Sequence, residues 1–190
     1  MTLETLIDND ALRVFNIQLP DGTSGSVKVE HRNAALIGME DGTGFAVSAN
    51  GGTPRFLPMA RGRVDWLGDG QLEVHAGHAG FGRAILVEVR TLPDPKGVAR
   101  TYGDRVLHRG DGVSIYEELI GPSSVRRMHN HGPRLVLCLS DIDLRNTLPG
   151  GDKIEVKRAA GAVTWNAAVV THEVLNVGPE PFWCVCVEHP

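Results

Sequence analysis

The chain has 190 residues, 42% of them apolar and 22% charged, with a formal net charge of −4. That is the make-up of a water-soluble globular protein, with no basic surplus for nucleic acid and no apolar run of about 18 residues to span a membrane. Glycine is over-represented, at 23 residues beside 11 prolines, where average usage gives about 13 glycines; so punctuated a chain disfavours a helical bundle.

Taken in order, Met1–Ile7 reads as a short helix, and its acidic character (Glu4, Asp8, Asp10 nearby) lacks the positive charge and apolar stretch of a secretory signal. Strands are predicted over Leu12–Leu19, Ser26–His31, Ala35–Met39, Gly44–Ala49, Arg63–Leu67, Gln71–His75 and Ala84–Arg90. Each is a short run rich in β-branched, leucine and aromatic residues, bounded by turn-formers such as Pro20-Asp21-Gly22, Asp41-Gly42 and Gly68-Asp69-Gly70. Asp94-Pro95-Lys96-Gly97 punctuates the middle, and strands resume over Gly112–Ile120, Ser124–His131, Leu135–Ser140, Ile142–Asn146, Lys153–Arg158, Ala162–Trp165, Val169–Val174 and Phe182–Glu188. The expected class is an all-β sandwich or barrel.

The two halves resemble each other. Asp10–Phe15 matches Asp111–Tyr116 at an offset of 101, Ser26–His31 matches Val125–His131 at about 100, and Gly62–Trp66 matches Gly161–Trp165 at 99. His31 thereby falls against His131 and Asp41 against Asp141, while Leu86–Arg90 aligns loosely with Val185–His189. A near-constant offset over several segments predicts a duplicated unit, with a first lobe over 1–95, a linker over 96–110 and a second domain over 111–190.

Histidines carry the chemistry of the second half. His129 and His131 lie at i and i+2 of a predicted strand, so both imidazoles project from one face and suit one metal ion. His172 shares a face with Val170 and Val174 and is the candidate third ligand. Any one of them alone reads as a hydrogen-bonded core histidine; the pair at strand spacing turns the reading towards a metal. Cys138, Cys184 and Cys186 are odd in number and sit in apolar runs, so they read as buried reduced thiols rather than a disulfide framework.

These residues resemble the two motifs of the cupin superfamily. In the second motif, Gly161, His172 and Asn176 fall at family spacing, whereas Ala167 and Val169 stand where the family has proline and glycine. In the first, His129 and His131 match, but the glutamate expected three or four residues on is replaced by Leu135 and Val136. The resemblance covers about 111–190 directly and reaches the first half through the repeat. It implies a double-stranded β-helix (cupin jelly roll) in two tandem repeats packed together, like a bicupin. The first repeat is degenerate: Val29 takes the first histidine's place, and the distant histidine aligns with Glu73 or His75.

The resemblance implies a divalent metal (Fe, Zn, Ni or Mn) held by His129, His131 and His172, as in cupin thiol dioxygenases that dispense with the glutamate. It implies a dioxygenase, isomerase or decarboxylase acting on a small anionic metabolite, with a non-catalytic small-molecule-binding cupin as the alternative. By strand parity Arg127 points inward to hold an anion, with Tyr116, Met128, Trp165 and Asn166 lining the pocket. Glu173, beside His172, points the other way, and no residue stands out as a general acid or base. A cytoplasmic homodimer is expected, with no nucleic-acid or membrane partner.

Overall fold

The computed structural model describes residues 2–19, 25–41, 43–49, 52–76, 82–92, 103–110 and 112–189. The expected boundary at Asp94–Gly97 and the turn at Pro20–Gly22 lie outside these residues. The chain divides into two compact units, Met1–Thr91 and Leu92–Pro190. Among the described residues every regular element is a strand, and no helix is long and apolar enough to cross a membrane.

The first unit holds β1 (Thr2–Asp8), β2 (Leu12–Leu19), β3 (Gly25–Gly38), β4 (Thr43–Ala49), β5 (Arg55–Met59), β6 (Val64–Ala76) and β7 (Gly82–Val89). They form one sheet in the order β1-β2-β7-β3-β6-β4-β5. Of the expected helix at Met1–Ile7, the described residues from Thr2 onward are therefore a strand. Thr2–Asp8 lies antiparallel along β2, from Thr2↔Gln18 to Asp8↔Arg13, and the unpaired edge that β2 offers overrides any local helical preference.

The second unit holds β8 (Arg105–Gly110), β9 (Val113–Ile120), β10 (Val125–His131), β11 (Arg134–Cys138), β12 (Ile142–Thr147), β13 (Lys153–Arg158), β14 (Val163–Asn166), β15 (Val170–Asn176) and β16 (Phe182–Glu188). These make a five-stranded sheet, β14-β11-β16-β9-β8, and a four-stranded sheet, β10-β15-β12-β13. The stretch read as linker, 96–110, contains β8, which pairs with β9 from Arg105↔Glu117 to Gly110↔Val113.

The strand orders are the same once β3 is matched to β10 with β11, and β6 to β14 with β15. The second unit breaks two long strands that the first runs through. In β3 the ladder shifts between His31 and Ala35; in the second unit Gly132 and Pro133 interrupt the corresponding place, since proline cannot donate to a ladder. Turn chemistry is duplicated too. Asp41 caps the Arg61 N–H at 3.0 Å and Asp141 caps the Ala160 N–H at 2.7 Å. Gly62 and Gly161 occupy the left-handed region, with φ of 77° and 84°, and each donates its N–H back to an equivalent strand carbonyl, Gly38 in one unit and Cys138 in the other.

The ladders place the repeat at an offset of 100 through β7 and β16: Ala35 pairs with Val87 as Leu135 pairs with Val187. Glu88 thus corresponds to Glu188, one residue away from the looser alignment of Leu86 with Val185. They also correct the match for His172. His31 pairs with Gly70 and Val29 with Leu72, just as His131 pairs with Val170 and His129 with His172. Leu72 takes the place of His172, not Glu73 or His75, because the second unit gains one residue between Trp165 and Val170.

Candidate metal centre and its cavity

The histidine cluster follows from strand geometry. Period-two alternation on β10 sets His129 and His131 on one face, and the antiparallel register sets His172 of β15 directly opposite His129. Ring centroids are 4.7 Å apart for His129 and His131, 4.8 Å for His129 and His172, and 5.6 Å for His131 and His172. One nitrogen from each ring lies within 4.8 Å of the others.

Their hydrogen bonds decide the tautomers. The carbonyl of Arg127 can only accept, so His129 Nδ1, 2.7 Å away, carries the proton and Nε2 keeps its lone pair. Tyr116 donates its hydroxyl proton to Glu188 Oε2 at 2.5 Å. Its oxygen is left to accept from His131 Nδ1 at 3.2 Å, so His131 Nε2 is also a bare lone pair. Glu188 is itself fixed by the Gly132 N–H, 2.7 Å from Oε1. The chain Glu188–Tyr116–His131 is the outer arrangement that orients a ligating imidazole.

Neither nitrogen of His172 makes a hydrogen bond, and neither do the Nε2 atoms of His129 and His131, although all four are buried. Burial pushes the His129 and His131 pKa values down and takes His172 down to about 4, with the neighbouring His129 and Arg134 adding to the effect at His172. Neutral imidazoles with inward lone pairs are the protonation state that binds a divalent ion. Leaving such atoms unpartnered costs about 1–3 kcal/mol each, so the residues present fit a metal.

A cavity of about 190 Å³ adjoins the cluster and is lined in part by His172. Arg134, Arg158, Glu118, Asn146, Thr164 and Asn166 contribute to its polar lining, and Val136, Leu144, Val156, Val174 and Phe182 to its apolar wall. Arg134 is 6% exposed, and its Nε and Nη1 make no hydrogen bond. Burial raises the Glu118 carboxyl above the usual range, against the opposing pull of Arg134 and Arg126.

Of the residues expected to meet a substrate, Asn166 lines this cavity, and Arg127, Tyr116, Met128 and Trp165 do not. Arg127 is exposed. The ladder shifts between Arg126 and His129, so that Arg127 and Met128 together face the single residue Glu173, and this bulge breaks the parity that would have turned Arg127 inward. Tyr116 is fully buried and orients His131 from behind. Trp165 alternates with the lining residues Thr164 and Asn166 and stands opposite Leu135 in the ladder. Two arginines line the cavity, the exposed Arg158 and the buried Arg134, the latter on the same face of β11 as Val136 and Cys138. Asn176 fixes a turn: its amide donates to the carbonyls of Ile120 and Glu180 at 2.9 and 2.8 Å and accepts from Gly178 N–H at 3.0 Å. The three cysteines are buried and free.

A repeated antiparallel jelly roll with histidines inside one unit defines the class of double-stranded β-helix proteins. Comparison with solved structures narrows this to the cupin fold. A cupin 2 conserved barrel domain protein from Leptotrichia buccalis aligns over 100% of this chain and 88% of its own, with 11% identity and a TM-score of 0.59. AerE from Microcystis aeruginosa aligns over 99% and 91%, with 10% identity and a TM-score of 0.66. Oxalate decarboxylase from Bacillus subtilis aligns over 95% and 68%, with 11% identity and a TM-score of 0.62. No protein-family model matches the sequence, and no curated protein matches it. The chain has the fold of the cupin superfamily, present twice.

Proposed function

We propose that this protein is a metal-dependent cupin acting on a small carboxylate-bearing metabolite in its second unit. The observation that carries the reading is the set of buried, unpartnered nitrogens of His129, His131 and His172 beside a cavity that also holds Arg134. His129, His131 and His172 would hold a divalent ion (Fe, Zn, Ni or Mn). Such an ion supplies Lewis acidity, or the activation of water or oxygen, and neutral imidazoles leave its charge undiminished.

The chain's own residues do the rest. Arg134 offers free N–H groups in a low-dielectric cavity, where a carboxylate makes a charge-assisted pair. Val136, Leu144, Val156 and Phe182 hold an apolar body and exclude water. A cavity of about 190 Å³ suits a small metabolite. The same fold in oxalate decarboxylase, a protein described with Mn(II) centres, supports the metal and the acidic substrate, and a decarboxylase, isomerase or dioxygenase reaction is the class proposed.

Metal analysis of protein purified without an affinity tag tests this. About one ion per chain is expected, lost in His172→Ala, with carboxylate binding weakened at least about tenfold in Arg134→Ala. No metal under any loading condition overturns the reading. Oxygen uptake and product analysis with thiols, catechols and keto acids then divide an enzyme from a binder.

A further inference from the structure

The resemblance sets a carboxylate on the strand after the paired histidines, and this chain has none there. Leu135 is fully buried and does not line the cavity, and Val136 lines it with an apolar side chain. A carboxylate reaches the cluster from a different strand. Glu118 of β9 shares a face with Tyr116 and Ile120, is 5% exposed, and places Oε1 3.4 Å from His131 Nε2.

His131 Nε2 is a lone pair because Nδ1 carries the ring proton, and it faces Glu118 Oε1; both atoms are buried and neither makes a hydrogen bond. Arg126 Nη1 stands 3.7 Å from the same oxygen, and its Nη2 is bound to Asp104 at 2.5 Å. On the other side, Glu118 Oε2 is met by the Cys184 thiol at 4.0 Å. Two buried polar atoms that face each other without a hydrogen bond are satisfied by a cation between them or by a proton on the carboxyl, and Glu118→Gln separates the two. Their spacing also matches the edge of a tetrahedral ligand set, which is about 3.4 Å for bonds of about 2.1 Å.

We propose that Glu118 is the carboxylate ligand of the centre, delivered from β9 instead of from β11; this rests on the reading of the three histidines as a metal site. Glu118 groups with Cys184 and Cys186 rather than with all three histidines, so on binding an ion the carboxylate would turn from the cysteines to add one anion to the three imidazoles. It leaves the face of β11 that the motif glutamate would have occupied to Val136, next to Arg134 and open to substrate.

Cobalt(II) is the probe, because its visible bands report coordination without any assay of activity. Wild-type protein and Glu118→Gln are titrated with Co(II). The expected result is an affinity lower in the variant by more than the roughly 10–100-fold that loss of an outer-shell partner costs, with changed band positions and intensities. Glutamine can still donate a hydrogen bond to His131, so unchanged affinity and spectrum show that Glu118 serves only as a hydrogen-bonding neighbour, and overturn the proposal. Wild-type protein that takes up no Co(II) overturns the metal reading and this inference with it. A structure of Co(II)-loaded wild-type protein needs no variant to fold: a Glu118 oxygen bonded to the ion supports the assignment, and an ion bound without it overturns the assignment.

Discussion

Phe15, Ile17, Ala34, Leu36, Phe45 and Val47 pack into one apolar cluster inside the first unit. By ladder register, the second unit places Tyr116, Glu118, Arg134, Val136, Leu144 and Asn146 at those positions. Val29 and Leu72 likewise stand for His129 and His172. One strand order therefore carries two interiors. Among the described residues, the first has hydrocarbon at these positions, where each buried large side chain stabilises by about 1.5–3 kcal/mol. The second keeps a cavity and several unsatisfied polar atoms, each of which weakens the fold. The comparison teaches that the scaffold does not need the site, and that the site is held at the expense of stability in the unit that has it.

The strongest way to test this is to write the first unit's residues into the second. His129→Val with His172→Leu should abolish metal binding, a loss of at least about 100-fold, while raising the stability of the metal-free protein by about 1–3 kcal/mol in chemical denaturation. A metal-free variant no more stable than wild type would break the comparison. Tyr116→Phe, the exchange towards Phe15, should instead destabilise by about 1–3 kcal/mol. Glu88 has Arg13 at 2.8 Å, whereas Glu188 takes its buried hydrogen bonds from Tyr116 and Gly132. Thermal unfolding would show this, and a neutral result would mean that the relay to His131 carries no stability. Smallest is the pair Gly62→Ala and Gly161→Ala. Each forces a side chain into positive φ at about 1–2 kcal/mol, and equal shifts in the two units would sharpen the duplication that their turns display.

Much of this was readable from the sequence because strands announce themselves by alternation and turns by glycine and proline. The histidine cluster was readable for the same reason, since His129 and His131 share a face whatever the strand pairs with. Arg127 was misplaced because parity counting assumes an unbroken ladder, and a bulge between Arg126 and His129 resets it. Arg134 carried no pattern of its own, following a glycine and a proline at the head of β11. Glu118 did leave a signal: it lies two residues beyond Tyr116, and an inward tyrosine on a strand implies an inward glutamate. Glu188 left one as well, continuing the face of Cys184 and Cys186. The strands β1, β5 and β8 were not identified as strands, being largely exposed edge elements defined by their partners.

The position of β16 has a consequence for the order in which the unit takes shape. It is the unit's last strand, yet it lies between β11 and β9 in the middle of their sheet. A ribosome releases the three histidines before it releases Glu188, the carboxylate that fixes Tyr116 and, through it, the proton on His131. Until β16 lies between β9 and β11, the imidazoles exist but His131 has no fixed tautomer.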